Sequence, residues 1–316
     1  MNRDGLVKGM IFCFLAVVAW GGMFPVAGNI LKVMDPFWFT SIRYGTAVIV
    51  FLILLALMEG KKSFGFDNRG WWLYFFGTMG FAGFSFLTFA GQKMLGVSGA
   101  VVASIIMALM PVNTLIVNTL LGRAKPSGFG IGMMLVALFG VLLVITKGNP
   151  ATLLATTENL IGDILIYLGA LSWVIYTIGG TTFPTWSPIR YTALSTLLGM
   201  ISVLLITIAG TAFGLLSVPT LEGTFSVGWE LLYMAMIAGV MAVFLWNFGN
   251  RILTPINGIL FMNLVPITTF TITIIQGGTF TSVELLGAGI TIIALVANNL
   301  YNRRVAARAA AAAKAA

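Results

Sequence analysis

The sequence contains no histidine and only one cysteine, and 8% of its 316 residues are charged. Without histidine the chain lacks the commonest transition-metal ligand and the commonest general base, which argues against a metalloenzyme or a histidine-dependent hydrolase. The lone Cys13 lies inside an apolar run, so the chain has no disulfide framework and the redox compartment stays open. We therefore expect neither a catalytic site nor a metal or other cofactor.

Polar residues are also too few for a soluble domain. Hydrophobic residues make up 59% of the chain and the mean hydropathy is +1.02, whereas soluble domains have about 45–50% apolar residues and about 25% charged ones. The solvent of this chain must therefore be lipid. The net charge of +8 does not indicate nucleic acid, because the basic residues lie mainly in short connections between apolar runs.

Ten apolar stretches are long enough to cross about 30 Å of hydrocarbon. They lie at approximately 9–31, 36–58, 71–91, 97–121, 128–146, 160–180, 190–213, 229–249, 255–276 and 283–301. The sequence thus predicts an all-α integral membrane protein with ten transmembrane helices. Only connections 59–70 and 214–228 have room for extra structure, and 306–316 is a low-complexity, helix-prone tail that we exclude from the functional argument.

The positive residues predict the orientation of these helices. Of the 17 lysines and arginines, thirteen lie at the termini or in the connections after even-numbered helices. Three lie on the other side, and Arg43 lies within the second span. The positive-inside rule therefore predicts a multi-pass membrane protein with both termini in the cytoplasm.

The two halves of the chain resemble each other. Three pairs share an offset of 155: Pro111 with Pro266, Gly122 with Gly277, and Gly132 with Gly287. The segment GQKML (91–95) recurs as GNRIL (249–253), and Gly9 and Trp20 correspond to Gly162 and Trp173. We expect one five-helix repeat at 1–150 and a second at 151–305. Since five is odd, the second repeat must enter the membrane from the opposite side, as in many secondary transporters.

These doubled motifs resemble the drug/metabolite transporter superfamily, in its ten-helix EamA-like branch. The carrying features are proline in the fourth helix of each half, glycine at its end and glycine early in the fifth, seen in 111–132 and again in 266–287. PFWFTSIRY (36–44) is similar to the family's second helix, and Arg123 departs from the acidic residue often found there. Within the superfamily the chain resembles the bacterial inner-membrane aromatic amino acid exporters of the YddG type, which implies export of such substrates.

A substrate site should lie near the middle of the membrane. Residues predicted at suitable depth are Trp20, Phe81, Phe84, Met107, Trp173, Tyr176, Phe244 and Asn263. Helix packing or lipid contact is the commoner role of a single aromatic residue. Trp20 and Trp173 differ because they occupy equivalent repeat positions away from the interfacial belts where membrane tryptophans usually lie. Among the asparagines, Asn263 is the preferred substrate contact, because a buried amide is costly without a partner.

Three further residues are candidates for a helix break or gate. Pro111 and Pro266 each leave one backbone carbonyl without its helical donor, so they either kink the helix or offer a carbonyl to a substrate ammonium. Arg43 is the most deeply placed charge. It either acts as a structural strut, or snorkels outward towards Asp35, or binds a substrate carboxylate.

The acidic residues complete the functional hypothesis. None lies near the middle of a predicted helix, which disfavours a proton relay and a site for cationic drugs. We expect alternating-access export of aromatic and other apolar amino acids without a dedicated coupling ion, with the small-molecule substrate and the lipid bilayer as partners. Two alternatives stay open: a drug or metabolite exporter with other substrates, and a membrane-embedded enzyme, although Ser85 and Ser104 have no histidine to activate them.

Overall fold

The structure is a computed structural model that describes residues 3–122, 127–149, 157–253 and 258–315. Within these ranges the chain is helical, with no β-strand. In chain order the helices are α1 (Arg3–Ile30), α2 (Pro36–Glu59), α3 (Gly70–Met94), α4 (Gly99–Met107), α5 (Met110–Leu120), α6 (Gly128–Thr146), α7 (Thr157–Gly180), α8 (Pro188–Ala212), α9 (Leu221–Ser226), α10 (Gly228–Leu253), α11 (Leu264–Ile275) and α12 (Ser282–Ala315).

The apolar helices account for the predicted membrane spans to different degrees. Seven helices in the described ranges are long and apolar enough to cross a membrane, and α4 with α5 makes eight if the bent pair forms one span. Two shorter apolar helical segments follow: Phe261–Ile275, which includes α11, and Ser282–Asn298, the first part of α12. The count of ten spans therefore stays a prediction. The boundary at 150/151 and the start of the span 255–276 lie outside the described residues.

The two connections with room for extra structure contain short helical elements. A 3₁₀ turn, Lys61–Phe64, follows α2, and helix α9 precedes α10. The low-complexity tail continues α12 as helix through Ala315.

The second helix of each half begins with the same device. Asp35 accepts a hydrogen bond from the backbone N–H of Phe37, and Pro36 is the first residue of α2. In the other half Ser187 accepts from the N–H of Arg190, and Pro188 opens α8. A polar cap satisfies an N–H that has no helical acceptor, and proline suits the first turn because its missing N–H needs no acceptor there.

Close contacts between the halves come in equivalent pairs. Helix α1 packs on α10, and its repeat counterpart α7 packs on α3. At the second interface a Cβ atom on Gly91 would collide with the backbone carbonyl of Gly162. At the first interface a Cβ on Gly249 would lie 2.5 Å from the sulfur of Cys13 and 3.2 Å from the carbonyl oxygen of Gly9. The recurring glycines therefore permit the same close helix approach twice.

The glycines at the ends of α5 and α11 also share one conformation. Gly122 has φ +68° and Gly277 has φ +85°, the left-handed region that side chains with a Cβ rarely adopt. Their N–H groups donate to equivalent carbonyls, those of Thr119 and Ile274, at 3.0 and 2.9 Å. Both helices thus end in the same glycine turn.

Helix irregularities also recur between the halves. Helix α3 contains a π-helical segment at Thr78–Gly83, and α10 contains one at Tyr233–Met241. A shift of 158 residues, the offset of the GQKML motif, places the first segment within the second. The fourth span bends by 46° between Gly96–Met107 and Met110–Leu120, directly before Pro111. These wide or broken turns leave backbone carbonyls near the centre of the bundle open to side-chain donors.

Candidate functional site

Five aromatic side chains meet at the centre of the bundle, from helices α1, α3, α7 and α10. We call them the central aromatic cluster: Trp20, Phe84, Trp173, Tyr176 and Trp246. The ring centroids of Trp20 and Trp173 lie 5.6 Å apart with their planes at 81°, and those of Trp20 and Trp246 lie 5.3 Å apart. Trp173 continues the contact to Phe84 at 5.2 Å and to Tyr176 at 5.1 Å. These separations are typical of favourable aromatic pairs.

Hydrogen bonds to the π-helical segment of α10 fix one edge of the cluster. The indole Nε1 of Trp20 donates to the carbonyl of Ala238 at 3.0 Å. One turn earlier in that segment, the hydroxyl of Tyr233 donates to the carbonyl of Ala19 at 2.7 Å. The indole nitrogen of Trp246, in contrast, is buried and has no acceptor within the described ranges. Trp20 is therefore held in place, whereas Trp246 is held by packing alone.

A central cavity lies against the cluster and is nearly filled. Its lining consists of Trp20, Met23, Phe24, Arg43, Tyr44, Phe84, Met107, Met110, Trp173, Val243, Met262 and Val265. The free volume is about 20 Å³, which is room for about one water molecule. A substrate the size of an amino acid therefore needs these side chains to move apart before it can bind.

The cavity lies where the two halves meet, because its lining contains repeat-equivalent residues. Trp20 pairs with Trp173, and Met107 pairs with Met262 at the offset of 155 that relates the two prolines. Pro111 and Pro266 stand four residues after these methionines, so neither proline can donate a helical hydrogen bond to the methionine carbonyl. Equivalent breaks thus occur on both sides of one cavity.

Arg43 enters this cavity from α2 and is only 1% exposed. Its Nε donates to the carbonyl of Met234 at 3.0 Å, in the π-helical segment of α10, and its Nη2 contacts the sulfur of Met23 at 3.4 Å. The third nitrogen, Nη1, is buried without a partner, and no described carboxylate forms an ion pair with the guanidinium. The side chain does not snorkel towards Asp35, which caps α2 instead. A buried charge that lacks a counter-ion is costly unless a ligand supplies one.

The sequence matches the EamA-like transporter family twice, over residues 7–146 and 160–300. The chain belongs to this family. It is 39% identical over 304 residues to "Uncharacterized transporter YrdR" of Bacillus subtilis (strain 168), covering 96% of this chain and 95% of that protein. "Uncharacterized transporter YyaM" of the same organism is 27% identical over 279 residues, covering 87% and 88%.

A solved structure titled "Crystal structure of protein" has the same fold, with a TM-score of 0.65 at 16% identity. The match covers 95% of this chain and 99% of that chain.

The family and both relatives identify the EamA-like chain as a transporter and not an enzyme, which removes the membrane-embedded enzyme as an alternative. It is a multi-pass protein of the plasma (inner) membrane, and its partners are a small-molecule substrate and the bilayer.

The structure brings most of the predicted residues of this EamA-like transporter to one place. Five of them line the central cavity: Trp20, Arg43, Phe84, Met107 and Trp173. Tyr176 stands behind Trp173, and Phe81 contacts Tyr176 with ring centroids 5.2 Å apart. Their contact with substrate stays a prediction.

Two predicted residues lie elsewhere. Phe244 packs on Phe248 with ring centroids 4.4 Å apart and does not line the central cavity. Asn263 ends the 3₁₀ segment before α11, outside the cavity lining. It is 3% exposed, and neither amide atom has a hydrogen-bond partner among the described residues. Depth along a helix places a residue at the right level but does not decide which way it faces.

Sequence reasoning missed several lining residues, and two signals point to them. Met262 and Val265 are the repeat counterparts of Met107 and Met110, so the offset of 155 alone indicates them. Val243 and Trp246 lie three residues apart on α10 and therefore share a helix face. Phe244, the neighbour chosen from the sequence, points to a different face.

Proposed function

We propose that this transporter exports aromatic and other bulky apolar amino acids by alternating access, without a dedicated coupling ion. One observation carries the proposal: a buried guanidinium, without a counter-ion in the described chain, stands in the lining of a cavity made of aromatic and methionine side chains. An amino acid offers the matching groups, a carboxylate for Arg43 and an apolar side chain for the cluster.

Arg43 suits a carboxylate because two of its nitrogens already have partners and the third, Nη1, has none among the described residues. The contacts of Nε with the Met234 carbonyl and of Nη2 with the Met23 sulfur orient the guanidinium plane. An ionised carboxylate at Nη1 would complete a charge-assisted hydrogen bond, which is about twice as strong as a neutral one. The ring of Tyr44 lies beside it, with the guanidinium carbon 4.7 Å from the ring centroid, and the Tyr44 hydroxyl has no partner among the described residues.

The remaining groups of the substrate also find complements. Tryptophan faces attract an ammonium by cation–π interaction, and Trp20 and Trp173 are both available in the lining. Methionine side chains are flexible and adapt to irregular apolar shapes. The four lining methionines, Met23, Met107, Met110 and Met262, would therefore accept several apolar side chains.

The small free volume favours alternating access over a permanently open pore. In this conformation the cluster fills the site, so loading requires rings to move and release lets them close again. Two halves related by a pseudo-two-fold axis supply inward-open and outward-open states of similar energy.

Analogues of one substrate test the role of Arg43 directly. The assay is inhibition of labelled phenylalanine uptake into liposomes by unlabelled phenylalanine, phenylalaninamide and phenethylamine, of which only the first has a carboxylate. Wild type should prefer phenylalanine, and Arg43→Gln should lose that preference, with a loss of phenylalanine affinity of about thirtyfold or more, as for removal of one partner of a buried charge pair. Equal inhibition by all three compounds in wild type would contradict a carboxylate contact.

A drug or metabolite exporter with non-amino-acid substrates is the second candidate. The methionine-rich lining favours it, since such surfaces suit varied ligands. Saturable uptake of apolar drugs with no uptake of any amino acid would select it.

A further inference from the structure

A second and larger cavity opens beside the loop between α7 and α8. Its free volume is about 320 Å³, within the usual size range of ligand pockets. We call this cavity the vestibule, defined by the lining residues Thr181, Trp186, Tyr191, Trp246, Asn247 and Arg251. Arg190 lies in the first turn of α8, directly after this loop, and α10 ends just after Arg251. The positive-inside rule therefore places this opening on the predicted cytoplasmic side.

The indole ring of Trp246 separates the vestibule from the central site. Trp246 lines the vestibule, and its indole contacts Trp20 of the central aromatic cluster at 5.3 Å. Tyr191 lines the vestibule as well and stacks on Tyr176 at 5.2 Å, with its hydroxyl donating to the Tyr176 carbonyl at 2.7 Å. Since Trp246 has no hydrogen bond from its indole nitrogen in the described chain, it is the least restrained member of this wall.

The other walls of the vestibule are held in place. Trp186 donates from Nε1 to Asp67 at 3.0 Å, and the Arg190 guanidinium lies 3.9 Å from the centroid of a Trp186 ring. Asn247 donates to the hydroxyl of Thr192 at 2.6 Å. The vestibule is therefore a preformed pocket with two fixed aromatic surfaces, Trp186 and Tyr191.

Arg251 is the single charged residue of the described lining and makes the vestibule positive. Its side chain is exposed and forms no hydrogen bond or ion pair with a described residue. Arg190, which contacts Trp186 but does not line the vestibule, is paired with Asp67 at 2.9 Å. A free guanidinium beside aromatic surfaces and polar groups suits a carboxylate that carries an apolar side chain.

We propose that the vestibule is a second amino-acid-binding site, which takes substrate from the cytoplasm before it passes Trp246 into the central site. The proposal rests on the proposed export of amino acids. Arg251 binds the substrate carboxylate, and Trp186 with Tyr191 receives the apolar side chain. Rotation of Trp246 then joins the vestibule to the central cavity.

Protection of a cysteine in the vestibule tests the proposal locally. Thr181→Cys, in a Cys13→Ala background, places one thiol at an exposed vestibule position. The protein is held in phosphatidylcholine nanodiscs and treated with a maleimide, with and without phenylalanine. A ligand at ten times its Kd leaves about one site in eleven free, so labelling should slow by about tenfold. Ser226→Cys, exposed on α9 and away from both cavities, is the matched control and should label at an unchanged rate.

Two further variants separate the vestibule from the central site. Arg251→Gln should abolish the protection of Thr181→Cys, and Arg251→Lys should keep part of it. Trp20→Ala, or the milder Trp20→Phe, should leave the protection intact because Trp20 does not line the vestibule. Protection lost with Trp20→Ala but kept with Arg251→Gln would overturn the vestibule proposal.

The remaining outcomes distinguish this proposal from the proposed function. If phenylalanine still binds the protein but never protects Thr181→Cys, the vestibule proposal is wrong and export of amino acids stands. If no amino acid binds at all, both are wrong. If anionic lipid alone slows labelling and phenylalanine adds nothing, the vestibule holds a lipid headgroup and the proposal is overturned.

Discussion

Trp20 and Trp173 are equivalent residues of the two repeats, and their rings touch edge to face at 5.6 Å. Residues related by a two-fold axis can touch each other only near that axis, so this contact locates the pseudo-two-fold axis of the transporter. The central cavity lies at the same point. A site on the axis is the position that can be exposed to either side by equivalent movements of the two halves.

This contact predicts coupled effects on transport. Trp20→Ala and Trp173→Ala should each raise the KM for phenylalanine by about thirtyfold, since each removes a buried aromatic surface worth about 2 kcal/mol. The double variant should lose less than the product of the two, because the residues in contact share one interaction. Concentration-dependent uptake into liposomes measures all three. Trp71→Ala, at a position 73% exposed on the surface of the helix bundle, is the control and should leave KM unchanged.

The paired glycine contacts predict equivalent losses of stability in the two halves. Gly91→Ala and Gly249→Ala should each lower the free energy of unfolding by about 1–3 kcal/mol, because an added methyl group overpacks a close helix contact. Gly132→Ala is the control, since a Cβ there meets no atom within 4 Å. Thermal unfolding in detergent compares the three variants. A destabilised Gly132→Ala beside unchanged Gly91→Ala would contradict the packing described here.

The contact between the loops 60–69 and 181–187 depends more on an arginine than on its ion pair. Arg190 donates to the carbonyls of Ser63 and Gly65 at 3.0 and 2.8 Å, in addition to its bond with Asp67. Asp67 is 53% exposed, so Asp67→Asn should cost at most about 1 kcal/mol. Arg190→Ala should cost about 2 kcal/mol, since it also removes both carbonyl contacts. Melting curves at low and high salt separate the two, and equal losses would contradict this division.

The acidic residue best placed to carry a proton is Asp163 on α7. It is 8% exposed, and its Oδ1 has no partner in the described chain. Glu284, in contrast, is paired with Lys147 at 3.5 Å and accepts a hydrogen bond from the backbone N–H of Thr281. Asp163 does not line the central cavity. Asp163→Asn should therefore leave phenylalanine uptake and its insensitivity to a pH gradient unchanged. An uptake rate that falls severalfold in this variant would assign Asp163 a part in transport.

The sequence predicted the elements of this fold where a single physical rule decides them. Apolar length predicted the helices, and the recurring glycines predicted an internal repeat. They did not predict which helices touch, and the contacts of α1 with α10 and of α3 with α7 come from the structure. The number of spans is less clear in the structure, since the fourth span breaks at Pro111 and α11 is short.

The site was predictable in part. Repeat equivalence singled out Trp20 and Trp173, and the structure places both in the cavity lining, close to the axis that relates the halves. The same equivalence relates Met107 to Met262, which also lines the cavity but was not among the predicted residues. Phe244 was chosen by its depth, and Asn263 by its depth and the cost of burying an amide. Neither criterion fixes the rotation of a helix about its axis. The hydrogen bond from Arg43 to the Met234 carbonyl depends on the π-helical segment of α10, which the sequence does not indicate.

Uptake of labelled phenylalanine and tryptophan by the purified protein in liposomes, with and without a pH gradient, tests the central claim most directly. The account predicts saturable uptake whose rate does not depend on the pH gradient and is lower in Trp20→Ala. Uptake of neither amino acid, or uptake that carries one proton with each substrate molecule, would contradict uncoupled export of aromatic amino acids.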